Sequence, residues 1–197
     1  MSEVTCVVLL RRLFAILLAT AVLVVVLGFF LPPTSTVERS VLVDRSPEEV
    51  YEVLEDLRHF PHWAPWLETA NAEHYRFEGP EKGVGATLVW KDQAGGGRLW
   101  ITDTRPAEWI ELQMELGDAR AQNYFRLAAS EKGGQRITWG LSMQAGTFDL
   151  VGRYMSLILP GLVGPEYERG LARLVEYLDR PVDFAASTPD KPSVTPP

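Results

Sequence analysis

Apolar residues follow three different patterns along the chain, and the first is a continuous run near the N-terminus. Leu13 to Leu31, "LFAILLATAVLVVVLGFFL", contains no charged residue. As a helix this run would be about 28 Å long, close to the ~30 Å hydrocarbon thickness of a bilayer. It is longer than the usual apolar region of a signal peptide, and no small-x-small cleavage site follows it. Residues 13–31 therefore predict a transmembrane anchor, with a cleaved signal peptide and a buried core helix as the alternatives.

A strand and a short helix are predicted directly after the anchor. Residues 32–36 predict an extended linker, and residues 37–44, "VERSVLVD", predict a strand. Ser46 is placed to cap a helix, because Pro47 follows at the first helical position and Glu49 completes a capping box. Apolar residues then recur on one face of this helix. The prolines of "RHFPHWAPW" predict that it ends there.

The second pattern is an alternation of apolar and polar residues, which occurs in six short segments from Leu67 to Gln144. The clearest is Ile110–Leu116, in which every second residue is apolar. A period of two predicts strands with one dry face and one wet face, and the glycine-rich turns between the segments indicate hairpins. Together with the first strand, the pattern predicts a seven-stranded antiparallel sheet.

The third pattern is helical and occupies the C-terminal part of the chain. "FDLVGRYMSLILPGLVGPEYERGLARLVEYLD" predicts a helical region with a break at Pro160–Gly161 and a new start at Pro165. The later stretch carries one apolar stripe, so we expect it to cover the dry face of the sheet. The stripe consists of Tyr167, Leu171, Leu174, Val175 and Leu178. This order of elements predicts the α+β class. The proline-rich residues 181–197 predict a disordered tail.

Charge and cysteine usage exclude several classes of function. The formal net charge is −7 and no polybasic stretch is present, so we expect neither nucleic-acid binding nor adsorption on anionic lipid. The single cysteine, Cys6, precedes the anchor, which excludes a disulfide within the domain. Residues 1–12 predict a short N-terminal tail, in which Arg11 and Arg12 directly precede the anchor. The positive-inside rule therefore predicts a cytoplasmic N-terminus and a domain on the outer side of the membrane.

Candidate catalytic and metal-binding motifs are weak. His59 and His62 have a spacing that two metal ligands could adopt, but Pro61 lies between them and the only other histidine is His74. The glycine-rich segments lie between strands, so they predict turns rather than phosphate loops, and no Gly-x-Ser-x-Gly motif is present. We interpret "RHFPHWAPW" mainly as a stiff corner, and we expect no metal, no cofactor and no catalytic residue.

Three segments together resemble a known family. "VLVDRSPEEVYEVLEDLRHFPHWAPW", "YRFEGPEKGVGATLVW" and "GRYMSLILPGLVGPEYERGLARLVEYL" are similar, in order and spacing, to the SRPBCC superfamily. The similarity is greatest to its polyketide cyclase/dehydrase-like branch, which is related to START lipid-transfer domains. The resemblance covers roughly Val37 to Leu178. It implies a helix-grip fold, in which a curved sheet wraps a long C-terminal helix and leaves a cavity between them. Members typically bind hydrophobic small molecules, and some are enzymes.

These expectations combine in one hypothesis: a membrane-anchored helix-grip domain that binds a lipid, isoprenoid or polyketide-like molecule in its cavity. The alternatives are a cyclase or dehydratase that uses the same cavity, and an interaction module whose interior is filled by its own side chains. Asn123 is the polar exception in the dry rows, so it is either satisfied by the fold or a polar handle for the ligand. The oligomeric state is left open. The residues expected to line the cavity are Trp66, Tyr75, Phe77, Leu88, Trp90, Ile101, Leu112, Met114, Asn123, Phe125, Trp139, Leu141 and Leu171.

Overall fold

The computed structural model describes residues 2–67, 74–92, 95–117, 119–131, 133–146 and 148–180. A helix, a strand and a second helix are followed by a corner of two 3-10 turns, six strands and a long helix. Their bounds are α1 Ser2–Phe30, β1 Thr34–Val43, α2 Pro47–Glu55, the turns Leu57–His62 and Pro65–Leu67, β2 Arg76–Glu78, β3 Thr87–Asp92, β4 Gly95–Arg105, β5 Trp109–Leu116, β6 Ala119–Ala129, β7 Gln135–Gln144 and α3 Leu150–Asp179.

The strands form one antiparallel sheet in the order β1-β7-β6-β5-β4-β3-β2. The six later strands therefore pair as a meander, and β1 joins it beside β7. In this register Asn123 of β6 lies opposite Leu112 of β5 on one side and Leu141 of β7 on the other. The predicted sheet is confirmed, with residues of neighbouring strands aligned in rows across it.

The alternation of apolar and polar residues produces the two faces that the sequence predicts. In β5, Ile110, Leu112 and Met114 are buried, whereas the intervening Glu111 and Gln113 are partly exposed. Successive side chains of a strand point to opposite faces, so one face of the sheet is dry and the other is wet. The dry face forms the core together with α2, the corner and the later part of α3.

The start of α2 follows the predicted capping box. The Ser46 hydroxyl accepts a hydrogen bond from the backbone N–H of Glu49 at 3.2 Å, and the Glu49 carboxylate accepts one from the backbone N–H of Ser46 at 3.0 Å. Two donors that a helix start leaves free are thereby satisfied. The helix then buries Val50, Val53 and Leu54 in the core.

The C-terminal helix is continuous from Leu150 to Asp179, so the predicted break at Pro160–Gly161 and new start at Pro165 are wrong. A proline at position 160 cannot donate a hydrogen bond to the carbonyl of Ser156, four residues earlier. That carbonyl instead accepts a hydrogen bond from the hydroxyl of Ser35 in β1 at 3.1 Å. The sheet satisfies the acceptor that the proline leaves free, and the helix continues through it.

The N-terminal helix is longer than the predicted anchor. It begins at Ser2, so the predicted tail of residues 1–12 is helical from residue 2 onward. Extending an existing helix is favourable once its first turn has formed, which explains the difference. The segment Arg11–Phe30 is long and apolar enough to cross a membrane and is almost entirely exposed. This is a property of length and composition that a signal sequence near the N-terminus shares.

Two boundaries complete the comparison with the sequence. β1 begins at Thr34, so the last three residues of the predicted linker, 34–36, belong to the strand and pair with the end of β7. The connection between α1 and β1 is correspondingly short. Residues 181–197, for which the sequence predicts a disordered tail, lie outside the described residues.

Candidate functional site

The dry face of the sheet and the later part of α3 enclose a cluster of aromatic rings. Trp139 of β7 lies at its centre, and Tyr167 of α3 stacks on its indole with ring centroids 4.0 Å apart. Phe125 of the neighbouring β6 stacks on the same indole at 5.3 Å. Trp63 and Trp66, from the corner, each lie 5.3 Å from it. The corner, the sheet and the helix therefore meet at Trp139.

Gly170 allows α3 to approach this indole closely. A Cβ atom at position 170 would lie 2.7 Å from Cζ3 of Trp139 and 3.1 Å from Cδ of Pro65. Both distances are shorter than the 3.5–4.0 Å at which carbon atoms attract each other best. The absence of a side chain at Gly170 is thus what brings the helix onto the ring.

Asn123 is the polar residue of this interior, and only one end of its side-chain amide has a hydrogen-bond partner among the described residues. The Tyr167 hydroxyl donates a short hydrogen bond to Oδ1 of Asn123, across the space between α3 and β6. Both side chains are almost fully buried. The Nδ2 amide of Asn123, by contrast, has no partner among the described residues. The first alternative, satisfaction by the fold, therefore holds for the oxygen of this side chain, and a role of its nitrogen in ligand binding stays a prediction.

Four buried N–H groups in and beside the aromatic cluster lack a hydrogen-bond partner within the described part of the chain. They are Nε1 of Trp63, Nε1 of Trp66, Nε1 of Trp139 and Nδ2 of Asn123. Indole nitrogens and amide nitrogens are donors only. A buried polar group left without a partner costs about 1–3 kcal/mol, and native structures contain few of them. The interior thus presents several donors to any acceptor atom that enters it.

Most of the residues predicted to line the cavity lie in this interior. Trp66 and Tyr75 are partly exposed at its edge, where the Tyr75 hydroxyl donates to the carbonyl of Leu67 at 2.6 Å. Phe77 is 45% exposed on the edge strand β2 and does not belong to the interior. The remaining predicted residues are buried, namely Leu88, Trp90, Ile101, Leu112, Met114, Asn123, Phe125, Trp139, Leu141 and Leu171.

The two histidines of the corner contact the end of α3. Nδ1 of His59 and the Tyr177 hydroxyl form a hydrogen bond of 2.7 Å, and the His62 ring stacks on the Tyr177 ring with centroids 5.4 Å apart. Both imidazoles are therefore engaged in attaching the corner to the helix. Within the described residues no group of three or more His, Cys, Asp or Glu side chains is arranged to hold a metal ion.

Charges at the corner have a structural role as well. Burial raises the pKa of the Asp56 carboxyl, but hydrogen bonds from Arg58 outweigh the burial and hold that pKa below its ordinary value. Burial also lowers the pKa of His59, against the attraction of Asp56. The guanidinium of Arg58 donates to both Asp56 oxygens, at 2.8 and 2.6 Å. The carboxylate is thereby neutralised at the start of the corner.

Sequence reasoning did not identify Tyr167 and Gly170 as parts of the site. Tyr167 was assigned only to the apolar stripe of the C-terminal helix, although its hydroxyl is the one polar tip in that stripe. Asn123 is likewise the one polar side chain in the dry rows, so the two could have been paired. Nothing in the sequence shows that a side chain at position 170 would collide with Trp139, because this close approach depends on how α3 crosses β7.

Several solved structures resemble the domain. Norcoclaurine synthase from Thalictrum flavum is 14% identical, with a TM-score of 0.56 over 75% of this chain and 94% of that one. A Staphylococcus aureus protein of unknown function is also 14% identical, with a TM-score of 0.56 over 74% and 93%. The di-domain ARO/CYC protein BexL of the BE-7585A biosynthetic pathway is 10% identical, with a TM-score of 0.55 over 75% and 50%. At these identities the likeness shows the fold alone.

No curated protein matches the chain significantly. A family model described as "Polyketide cyclase / dehydrase and lipid transport" matches residues 34–179, which comprise all seven strands, α2, the corner and α3. The match covers most of the chain and agrees with the curved antiparallel sheet and long C-terminal helix of the helix-grip fold. The chain therefore belongs to the polyketide cyclase/dehydrase and lipid transport family of the SRPBCC type.

Proposed function

We propose that the domain binds an uncharged lipophilic small molecule, such as a lipid, an isoprenoid or a polyketide-like compound, between the sheet and α3. The molecule carries at least one oxygen that accepts hydrogen bonds. In the same proposal α1 anchors the domain in a membrane, with the N-terminus in the cytoplasm and the domain on the outer side.

The four unpaired donors around the aromatic cluster carry this proposal. Aromatic and aliphatic side chains supply the apolar surface that stabilises a lipophilic ligand by burial. The donors of Trp63, Trp66, Trp139 and Asn123 supply the few polar contacts that orient it. A carbonyl or ester oxygen accepts from such groups and brings no charge into the interior. Binding would thus satisfy groups that are otherwise left buried without partners.

The basic residues near α3 explain why the proposed ligand is uncharged. Arg39 forms an ion pair with Glu168 at the rim of the helix. The guanidinium of Arg153 donates to the backbone carbonyls of Phe29 and Leu31, at the far end of α3. Both are thus committed to groups outside the aromatic cluster. An anionic ligand would need a cationic partner there, since a buried unpaired charge is strongly unfavourable.

The two other functions weighed from the sequence have less support. An interaction module whose interior is filled by its own side chains agrees with the stacking around Trp139. It does not account for the four buried donors without partners, which would destabilise a closed interior. An enzyme would need a group that transfers protons near neutral pH. Burial raises the pKa of Tyr167, the phenol beside Asn123, far above its ordinary value, so this hydroxyl keeps its proton and serves as a hydrogen-bond donor.

A matched pair of probes tests the proposal. Fluorenone and fluorene have the same tricyclic skeleton, and only fluorenone carries a carbonyl oxygen. We expect both to bind the full chain in detergent, as measured by quenching of tryptophan fluorescence. Fluorenone should bind about 3–10-fold more tightly, which corresponds to one net hydrogen bond. If neither probe binds at a single site, the ligand-binding proposal fails.

Two variants separate the donor effect from general packing. Asn123→Leu removes one of the four donors and should weaken the preference for fluorenone, while fluorene still binds. Gln122→Leu is the matched control, because Gln122 precedes Asn123 in β6 and points to the exposed face. This variant should keep the preference. Equal effects of the two substitutions would show that the Asn123 amide does not recognise the ligand.

A further inference from the structure

The first half of α3 has an unusual arrangement of apolar residues. Val151, Met155, Ile158 and Leu162 follow the i, i+4, i+7, i+11 spacing of one helix face, and Phe148 lies two residues before the helix begins. All five are exposed, from 42% for Met155 to 83% for Phe148. A helix that served only to cover a core would bury such a stripe. This stripe, residues 148, 151, 155, 158 and 162, is here called the outer stripe.

The side of the same half that faces the protein carries small and polar residues next to Leu159 and Val163. Arg153 is buried, and the carbonyl of Ser156 accepts from Ser35 of the sheet. Gly164 lies so close to the Arg39 guanidinium that a Cβ atom there would collide with it. Leu159 and Val163 of this half pack partly buried against the core, whereas the five side chains of the outer stripe point away from it. Exposed apolar side chains are unfavourable in water, but this cost disappears where the medium around the domain is itself apolar.

The third face of this half contacts α1. A Cβ atom at Gly28 would lie 3.0 Å from Leu150 and 3.1 Å from Tyr154, so the two helices touch at a glycine. The Tyr154 hydroxyl donates to the carbonyl of Val24 at 2.6 Å. Val24 lies six residues before the end of α1, or about 9 Å along its axis. The start of α3 thus lies level with the last turns of the apolar run of residues 13–31.

The end of α1 is fixed to α3 rather than tethered loosely. Arg153 donates to the carbonyls of Phe29 and Leu31 at 3.2 and 2.8 Å, which satisfies acceptors that a helix end leaves free. Phe29 and Phe148 contact edge to face, with centroids 6.4 Å apart. Any bilayer that surrounds Val24 and Gly28 therefore also reaches Leu150, Tyr154 and the outer stripe beside them.

We infer that the outer stripe is immersed in the outer leaflet of the membrane, so that the first half of α3 is a second membrane-contacting element. This inference rests on the proposed membrane anchor. Its occupant is the hydrocarbon of the bilayer, since the stripe continues the apolar surface of α1 and, apart from Arg153, residues 150–163 contain no charged side chain. An exposed apolar patch of this kind requires a partner, and the neighbouring anchor identifies it.

Site-directed spin labelling of the full chain in phosphatidylcholine liposomes tests the inference. Cys6→Ser removes the native thiol, and Ile158→Cys or Leu162→Cys then places a nitroxide on the outer stripe. Ala172→Cys, exposed on the second half of the same helix, is the matched control, and Leu17→Cys reports on the anchor. We expect oxygen to collide with the labels at 158, 162 and 17 more often than a water-soluble nickel complex does, and the reverse at 172.

The other outcomes overturn the inference in distinguishable ways. Labels at 158 and 162 that prefer the nickel complex, with a lipid-exposed label at 17, would refute the second contact and leave the anchor intact. Water exposure at all three positions would refute the anchor as well. Protection from both reagents with spin–spin broadening would show that a second copy of the chain covers the outer stripe. The ligand measurement with fluorenone is independent of all these results.

Discussion

Two stretches of α3 have the same apolar spacing and opposite surroundings. Tyr167, Leu171, Leu174 and Leu178 follow the spacing i, i+4, i+7, i+11 and are at most 6% exposed. The outer stripe at 151, 155, 158 and 162 follows the same spacing and is exposed throughout. The two sets start sixteen residues apart, which places them about 160° apart around the helix axis. They therefore face opposite sides of one continuous helix.

This difference shows what an amphipathic spacing establishes and what it does not. The spacing predicts a helix with one apolar face, but the direction of that face depends on the phase relative to the rest of the helix. In the second half the apolar face meets the dry side of the sheet. In the first half it points away, and the side toward the protein carries Arg153 and Ser156. One half of α3 is thus a core helix and the other is proposed to be a membrane helix.

The largest expected effect comes from the same substitution in each half. Leu174→Ala removes a fully buried side chain and should lower the free energy of unfolding by about 2–5 kcal/mol. Leu162→Ala removes a side chain that is 59% exposed and should change it by less than about 0.5 kcal/mol. Urea unfolding of the full chain in detergent, followed by tryptophan fluorescence, measures both. All six tryptophans lie between residues 63 and 139, so the signal excludes α1.

Equal losses from these two variants would contradict the comparison. In that case residue 162 would be packed as tightly as residue 174, and the outer stripe would be covered by protein even in detergent. A second leucine of the outer half, Leu157, is also exposed and offers a replicate of the control.

Two glycines of the same helix should respond with opposite sign. Gly170→Ala places a methyl group 2.7 Å from Trp139 and should destabilise the protein by about 1–3 kcal/mol. A Cβ atom at Gly161 would meet nothing within 4 Å. Gly161→Ala should therefore stabilise by about 0.5–1 kcal/mol through helix propensity. The same unfolding measurement applies, and a loss of stability at position 161 would show that the outer half is packed against the protein.

A smaller effect concerns the dependence on pH, which we expect only at the end of the second half. His59 forms a hydrogen bond with Tyr177, and burial lowers the pKa of its imidazole. As the pH falls below the ordinary histidine pKa of 6.5, the unfolded chain therefore binds more protons than the folded one. Stability should therefore decrease from pH 7 to pH 5, and the hydrogen-exchange protection factors, which are corrected for the intrinsic exchange rate at each pH, should fall around Tyr177 but not around the outer stripe. His59→Gln should reduce this slope.

The matched control for this effect is His62→Gln, because the exposed His62 ring also contacts Tyr177, by stacking on its ring. The pH slope should persist in this variant. A slope that is unchanged in His59→Gln would assign the pH dependence to other groups.

The sequence predicted the elements well because their patterns are local. The capping box of Ser46 and Glu49 and the alternation in β5 each depend on residues a few positions apart, and both are confirmed. The break at Pro160 was predicted on the same local grounds and is wrong, because Ser35, distant in sequence, supplies the missing hydrogen-bond partner. Local rules therefore failed where a tertiary contact replaced a local one.

The candidate site was predictable only in its apolar part. The alternation of apolar and polar residues along the strands was sufficient to place Leu112, Phe125 and Trp139 in the interior. This alternation does not reveal which buried N–H groups lack hydrogen-bond partners, because that depends on the distances between the corner, the sheet and the helix. The Tyr167–Asn123 hydrogen bond and the unpaired indoles therefore became visible only with the three-dimensional structure.

The central claim is that a ligand oxygen accepts from the interior donors, and the indole N–H signals of the six tryptophans test it most directly. In a ¹⁵N-labelled full chain, Trp63, Trp66 and Trp139 report on the interior, whereas Trp100 and Trp109, beside Arg98 and Arg126, report on the other face. We expect saturating fluorenone to shift at least one interior indole proton downfield, as a new hydrogen bond does, and fluorene to leave that proton without the downfield shift. Interior signals that do not respond to fluorenone, or that move no more than those of Trp100 and Trp109, would contradict the account.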